Sequence, residues 1–118
     1  MKHYLLFSIV FFSALCLKAQ NVTSLSPGKY ETRLKQGSKK WEKGDVILID
    51  DTHYRLSGSN DIGEYRFSVA AQRLFFTSGP LQGAFTRVMM NNNNPAIVFP
   101  PDQNKELGMT AEVWASKQ

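Results

Sequence analysis

Past its first 27 residues the chain alternates between apolar and polar positions. In GKYETRLK, residues 28–35, Tyr30, Thr32 and Leu34 fall on one side of an extended backbone and Lys29, Glu31, Arg33 and Lys35 on the other. This period of two marks a strand with one buried face. The pattern returns in DVILID (45–50), HYRLS (53–57), EYRFSV (64–69), RLFFTS (73–78), AFTRVMM (84–90), AIVF (96–99) and TAEVWAS (110–116). No stretch of the region sustains a helical stripe, so eight short strands and no helix are predicted.

The segments between these runs have turn chemistry: Asp51-Thr52, Ser59-Asn60-Asp61, Ala70-Ala71, Gly79-Pro80-Leu81-Gln82, the asparagine run 91–94 and PPDQNKELG at 100–108. Most are short enough for antiparallel hairpins. The expected fold is all-β: one small antiparallel meander over residues 28–118, closed as a barrel or flattened as a sandwich. Closure is favoured because it removes the edges that an open sheet must protect. Strands this short span only about 20 Å. With Tyr30, Tyr54, Tyr65, Phe67 and Phe76 all inward, the interior should be filled and any ligand left to a mouth, a loop or the outer face. Proline and two glycines in FFTSGPLQGAF (75–85) set the hairpin backbone, and Leu81 is expected to plug the barrel end.

Register turns the pattern into a candidate site. If Gly58 pairs with Gly63, Leu56 faces Tyr65 and Tyr54 faces Phe67 inside, which sets Arg55 opposite Arg66 outside. A turn at Ala70-Ala71 sets Tyr65 opposite Phe76, Phe67 opposite Leu74 and Arg66 opposite Phe75. Two facing arginines repel by a few tenths of a kcal/mol or more. A cation-π contact with Phe75, a bound anion or a carboxylate such as Glu64 would relieve them. Arg55, Arg66 and Phe75 are therefore candidate ligand-binding residues, although arginine stems also commonly just cover a sheet face. Trp114 alternates with Val113 and so faces outward, where an indole suits a sugar or protein partner.

The first twenty residues, MKHYLLFSIVFFSALCLKAQ, place Lys2 before an apolar run of fourteen residues from Tyr4 to Leu17, with Ala19 where a signal peptidase would cut. The run is shorter than the roughly 20 residues of a spanning helix, so 1–19 is expected to be a signal peptide and 20–27 a polar leader. Export to the periplasm or beyond follows, with no membrane span left after cleavage. Cleavage leaves 99 of 118 residues, one domain's worth. It removes the only cysteine, Cys16, which follows Leu15 rather than the small residue that lipidation requires. The mature chain thus has no disulfide and no thiolate chemistry. Lys2 and Lys18 leave too, lowering the formal charge from +4 to +2. That field is too weak to indicate nucleic acid, and the cluster of Lys39, Lys40 and Lys43 around Trp41 is diluted by Glu42 and Asp45.

No catalytic constellation is visible. His53 is the one histidine outside the signal, and Asp50 and Asp51 beside it read as a turn that caps its own backbone, not as part of a triad or a metal site. Ten acidic residues lie mostly in turns with no spacing that favours a general acid–base pair. Neither a phosphate loop nor GxGxxG is present, so no cofactor and no metal are expected. The sequon Asn21-Val22-Thr23 sits beside the cleavage site and is expected to be unused. Met89-Met90 and the asparagines read as a strand end running into a flexible loop.

The pieces PGKY (27–30), HYRL (53–56), GEYRF (63–67) and LFFTSGPLQG (74–83) together resemble a family of small uncharacterised secreted β-rich proteins with a PG(K/R)Y, GxYRF and FxSGPLxG pattern. The resemblance covers roughly 27–87 and ends after Arg87. It implies a β-rich fold and no known activity.

The function expected is that of a non-enzymatic binding or interaction module, a monomer acting through its outer face or loops on a protein or on a small anionic or carbohydrate ligand. The alternative is a small inhibitor of an exported hydrolase, wedged by residues 91–95 or 100–109.

Overall fold

The computed structural model describes residues 21–35, 41–109 and 111–117. The expected signal peptide, Cys16, Lys39, Lys40 and Thr110 lie outside the described residues. Eight antiparallel strands form one nearly closed, barrel-like sheet: β1 (Gly28–Leu34), β2 (Val46–Leu48), β3 (His53–Leu56), β4 (Gly63–Ser68), β5 (Arg73–Phe76), β6 (Arg87–Asn91), β7 (Asn94–Phe99) and β8 (Val113–Lys117). Their order is β5-β4-β3-β2-β1-β8-β7-β6. The first and last strands pair directly, Tyr30 with Lys117 through Leu34 with Val113. The barrel is therefore interrupted between two consecutive strands, β5 and β6, and not between the chain ends.

The Val88 amide crosses that seam to the Gln72 carbonyl (2.8 Å), and two side chains pair the backbone on either side of it. The Thr86 hydroxyl accepts from the Leu74 amide (2.8 Å) and donates to the Leu74 carbonyl (2.7 Å), taking the place of a neighbouring strand. Asn104 does the same for Phe85: its Oδ1 accepts from the Phe85 amide (2.7 Å) and its Nδ2 donates to the Phe85 carbonyl (2.9 Å). The predicted strand 84–90 therefore shortens to Arg87–Asn91, because the Ala84 amide closes a turn on the Leu81 carbonyl and the backbones of Phe85 and Thr86 pair with the side chains of Asn104 and Arg73. The predicted last strand, 110–116, shifts to Val113–Lys117.

The inward set is the expected one. Tyr30, Val46, Leu48, Tyr54, Tyr65, Phe76, Ile97, Phe99 and Val113 form the core, with Phe67 half-buried against it. Each fully buried large apolar side chain contributes about 1.5–3 kcal/mol. The rings of Phe76 and Phe99 stack across the barrel, 6.1 Å apart. Each interior tyrosine carries its hydroxyl to a loop at a barrel mouth, donating to Ser26 O (Tyr30, 2.8 Å), Ser78 O (Tyr54, 2.8 Å) and Asp50 O (Tyr65, 2.7 Å). No buried side-chain polar atom among the described residues lacks a partner. The interior is packed, as the short strands require.

Both mouths are plugged. Leu81 is fully buried at one, where Trp41 also packs on Phe99 at 5.2 Å. At the other, Val22 and Leu25 are buried, so the segment read as a polar leader contributes to the core. Gln72 holds it, accepting from the Val22 amide (2.9 Å) and donating to the Val22 carbonyl (2.8 Å). The asparagine run is not a loose loop. Asn91 pairs with Asn94, and Asn92 and Asn93 sit at φ 53° and 67°, the left-handed pair of a tight two-residue hairpin turn, which asparagine tolerates better than most residues. One 3₁₀ turn, Lys105–Leu107, is the only helical element among the described residues.

Candidate functional site

Strands β4 and β5 pair in the predicted register, Tyr65 with Phe76, Arg66 with Phe75 and Phe67 with Leu74. Strands β3 and β4 do not: His53 pairs with Glu64 and Tyr54 with Gly63. The expected apposition of Arg55 and Arg66 is thereby corrected, and the two side chains lie in different rows of the outer face. The cause is Gly63. A β-carbon there would run into the Ser78 carbonyl oxygen and stand 2.5 Å from Tyr54 Cε1. The glycine accommodates the Tyr54 ring and does not close the turn, so the loop after Leu56 is longer than predicted.

The three arginines on this side have different roles. Arg55 folds back on its own loop, Nη1 donating to Leu56 O and Ser59 O at 3.3 Å each. Arg73, absent from the predicted site, supplies the cation-π contact expected of Arg66. Its guanidinium carbon lies 4.5 Å from the Phe75 ring centre and 3.8 Å from that of Phe85, and Nε donates to Thr86 O at 3.2 Å. The spacing of Arg73 and Phe75, two apart on one strand and so on one face, was the available signal. Arg66 remains exposed, its guanidinium with no hydrogen bond or ion pair among the described residues. It lines a groove of about 540 Å³ with Phe67, Ser68, Phe75 and Thr77. Phe75 is 36% exposed there. The arrangement presents one unengaged cation, one exposed aromatic ring and the Ser68 hydroxyl, while the Thr77 hydroxyl is taken up by the Glu64 carbonyl at 3.3 Å.

Trp114 lies elsewhere, on β8 and separated from that groove by β1, β2 and β3. It faces outward, half-buried, as expected. Its Nε1 donates to Glu112 Oε1 at 2.8 Å, and the same carboxylate pairs with Lys35 Nζ at 3.3 Å. The indole N–H and then Lys35 hold the Glu112 carboxyl below the usual carboxylate range.

His53 sits between carboxylates, Nδ1 2.9 Å from Asp50 Oδ1 and Nε2 3.9 Å from Glu64 Oε2. Asp50 Oδ1 also accepts from the amides of Thr52 and His53, 2.9 Å each, the self-capping turn that the sequence implied. Those hydrogen bonds, that from Thr52 first, bring the Asp50 carboxyl down to about 2. Among the described residues no three His, Cys, Asp or Glu side chains are grouped so as to hold a metal ion. No helix among them is long and apolar enough to cross a membrane.

Comparison of the chain with protein-family models, curated proteins and solved structures found no match.

Proposed function

We propose that the protein is an exported, non-enzymatic binding module that takes an anionic ligand in the groove over β4 and β5. The observation that carries this reading is the free guanidinium of Arg66 beside the exposed ring of Phe75. An arginine fork pairs with carboxylate, sulfate or phosphate in two-point geometry, and an adjacent aromatic face accepts an apolar or ring-bearing part of the same molecule. The Ser68 hydroxyl, whose oxygen accepts from the Ala71 amide, has its proton to donate to a remaining acceptor.

The reading is tested by titrating the protein with phenyl phosphate and with inorganic phosphate while following backbone amide shifts. Phenyl phosphate should bind more tightly and move the amides of β4 and β5. Arg66→Gln should weaken it by about tenfold or more, the worth of one charge-assisted hydrogen bond, with no change in melting temperature. Arg55→Gln should leave binding intact. Equal binding by wild type and Arg66→Gln would overturn the reading. The inhibitor alternative needs a protruding loop, and neither of its loops offers an observation in its favour. Asn92-Asn93 is a tight turn, and Asn104 ties 100–109 to Pro100 and Phe85.

A further inference from the structure

We propose that the groove of about 340 Å³ along the outer face of β1 and β8 is a second site, and that it binds a neutral carbohydrate. Its platform is Trp114. Cross-strand pairing sets Arg33, Trp114, Val98 and Arg87 in one row and Glu31, Ser116, Ala96 and Met89 in the next. Ala96 and Val98 lie outside the core cluster yet are as buried as its members. The outer face here therefore carries a small covered apolar patch beside the groove, with the indole as a cross-strand neighbour of Val98. Because Nε1 is tied to Glu112, the ring orientation is fixed before any ligand arrives, and less ordering has to be met on binding.

The charges around the ring select the ligand. Among the charged lining residues, Glu31 pairs with Arg33 at 3.6 Å, and Lys35, whose Nζ stands 5.9 Å from the Trp114 ring centre, is neutralised by Glu112 at 3.3 Å just outside the groove, so each charge that lines the groove has an opposite partner. An anion would meet Glu31 and a cation would meet Arg33, so a charged molecule gains no net attraction. An uncharged molecule that both donates and accepts hydrogen bonds fits: the Glu31 carboxylate accepts, the Arg33 guanidinium donates, and Ser116 and Asn91 do both. A pyranose has these needs, with a C–H face that lies on an aromatic ring and a rim of hydroxyls. The groove is large enough for a small ligand. It differs in kind from the β4–β5 groove, where a single cation stands without a carboxylate among the lining residues.

The test follows the Trp114 indole N–H resonance during titration with maltotriose, cellotriose and diacetylchitobiose as neutral probes, and trigalacturonate as an acidic one. At least one neutral probe should shift the Trp114 indole and the Ser116 amide, leave the buried Trp41 indole in place, and bind at least tenfold more weakly to Trp114→Ala. Arg33→Ala, at a side chain 54% exposed, should keep the fold and weaken the same probe. Silence of Trp114 toward all three neutral probes, binding by trigalacturonate alone, or unchanged affinity in Arg33→Ala would each overturn the proposal. Because Arg66→Gln leaves this groove untouched, each site succeeds or fails by itself.

Discussion

The hydroxyl of Tyr54 accepts a hydrogen bond from the Leu81 amide at 2.8 Å and donates one to the Ser78 carbonyl at the same distance. One phenol on β3 thus holds both sides of the turn that carries the chain from β5 across the seam. Two glycines clear its way: a β-carbon on Gly79, at φ 87°, would stand 2.6 Å from Gly63 Cα and 2.9 Å from the Tyr54 hydroxyl.

Tyr54→Phe should therefore cost about 1–3 kcal/mol, because it keeps the ring and leaves the buried Leu81 amide without an acceptor. Urea unfolding of the two proteins measures it, with an unchanged slope and a lowered midpoint. Gly79→Ala should cost at least as much through backbone strain and the close approach to Gly63. If Gly79→Ala were neutral, the tight packing of this turn would not be what requires glycine there.

Thr86→Val tests the seam. Valine matches the shape of threonine and removes the one hydroxyl that satisfies both ladder groups of Leu74. Two buried groups lose their partner, for a loss of about 2–4 kcal/mol. The specific sign is faster hydrogen exchange at the Leu74 amide relative to the β1–β8 ladder. Thr86→Ser, which retains the hydroxyl, should recover most of the protection.

How much of this could be read beforehand depends on which signal each feature carried. Alternation in GEYRF and RLFF predicts the β4–β5 register because the turn between them has a fixed length, and the pairing of Ser68 with Arg73 agrees. The β3–β4 register failed because Gly63 was read as a turn residue, when its lack of a side chain serves the Tyr54 ring opposite. A glycine facing an aromatic residue across two strands looks the same in sequence as a glycine closing a hairpin. Thr86 and Asn104 were not legible either, since a side chain standing in for a strand leaves no periodic trace. In the candidate site, Phe75 and its pairing with Arg66 were visible from alternation, whereas the freedom of Arg66 depends on where Arg55 and Arg73 go.

Acid should expose the Asp50 turn. The folded carboxyl sits near 2, held down by the Thr52 amide and His53, against an ordinary value of 3.8. A depressed carboxyl stabilises the fold above its unfolded value and loses that contribution as pH falls through the folded one. The stability difference between wild type and Asp50→Asn should therefore shrink steadily as pH falls from about 4 to 2. A difference independent of pH across that window would rule the mechanism out. Solvent exposure of the turn keeps the effect small, and added salt should reduce the part due to the His53 charge.

The segment before β1 gives the last test, because its first residues are attached by one side chain while Tyr30 holds Ser26 at its end. Gln72 sits at φ 53° in the β4–β5 turn and reaches Val22 with both ends of its amide. Gln72→Asn keeps the tolerance for that backbone angle and shortens the reach by one methylene, so the turn should survive and the two bonds to Val22 should break. Val22 would then cover the barrel mouth by apolar contact alone, while the Tyr30 hydroxyl still holds Ser26 beside Leu25. Exchange at the Val22 amide should rise by about tenfold, matching the loss of roughly 1.4 kcal/mol from two partly buried hydrogen bonds, while the β2–β3 ladder stays protected. Leu25→Ala should instead lower the global midpoint, by about 2 kcal/mol or more, since it removes buried apolar surface beneath the rings of the core. If both variants lowered global stability alike and neither freed the Val22 amide selectively, the segment would be an integral part of the barrel and not a plug whose first residues are held at one point.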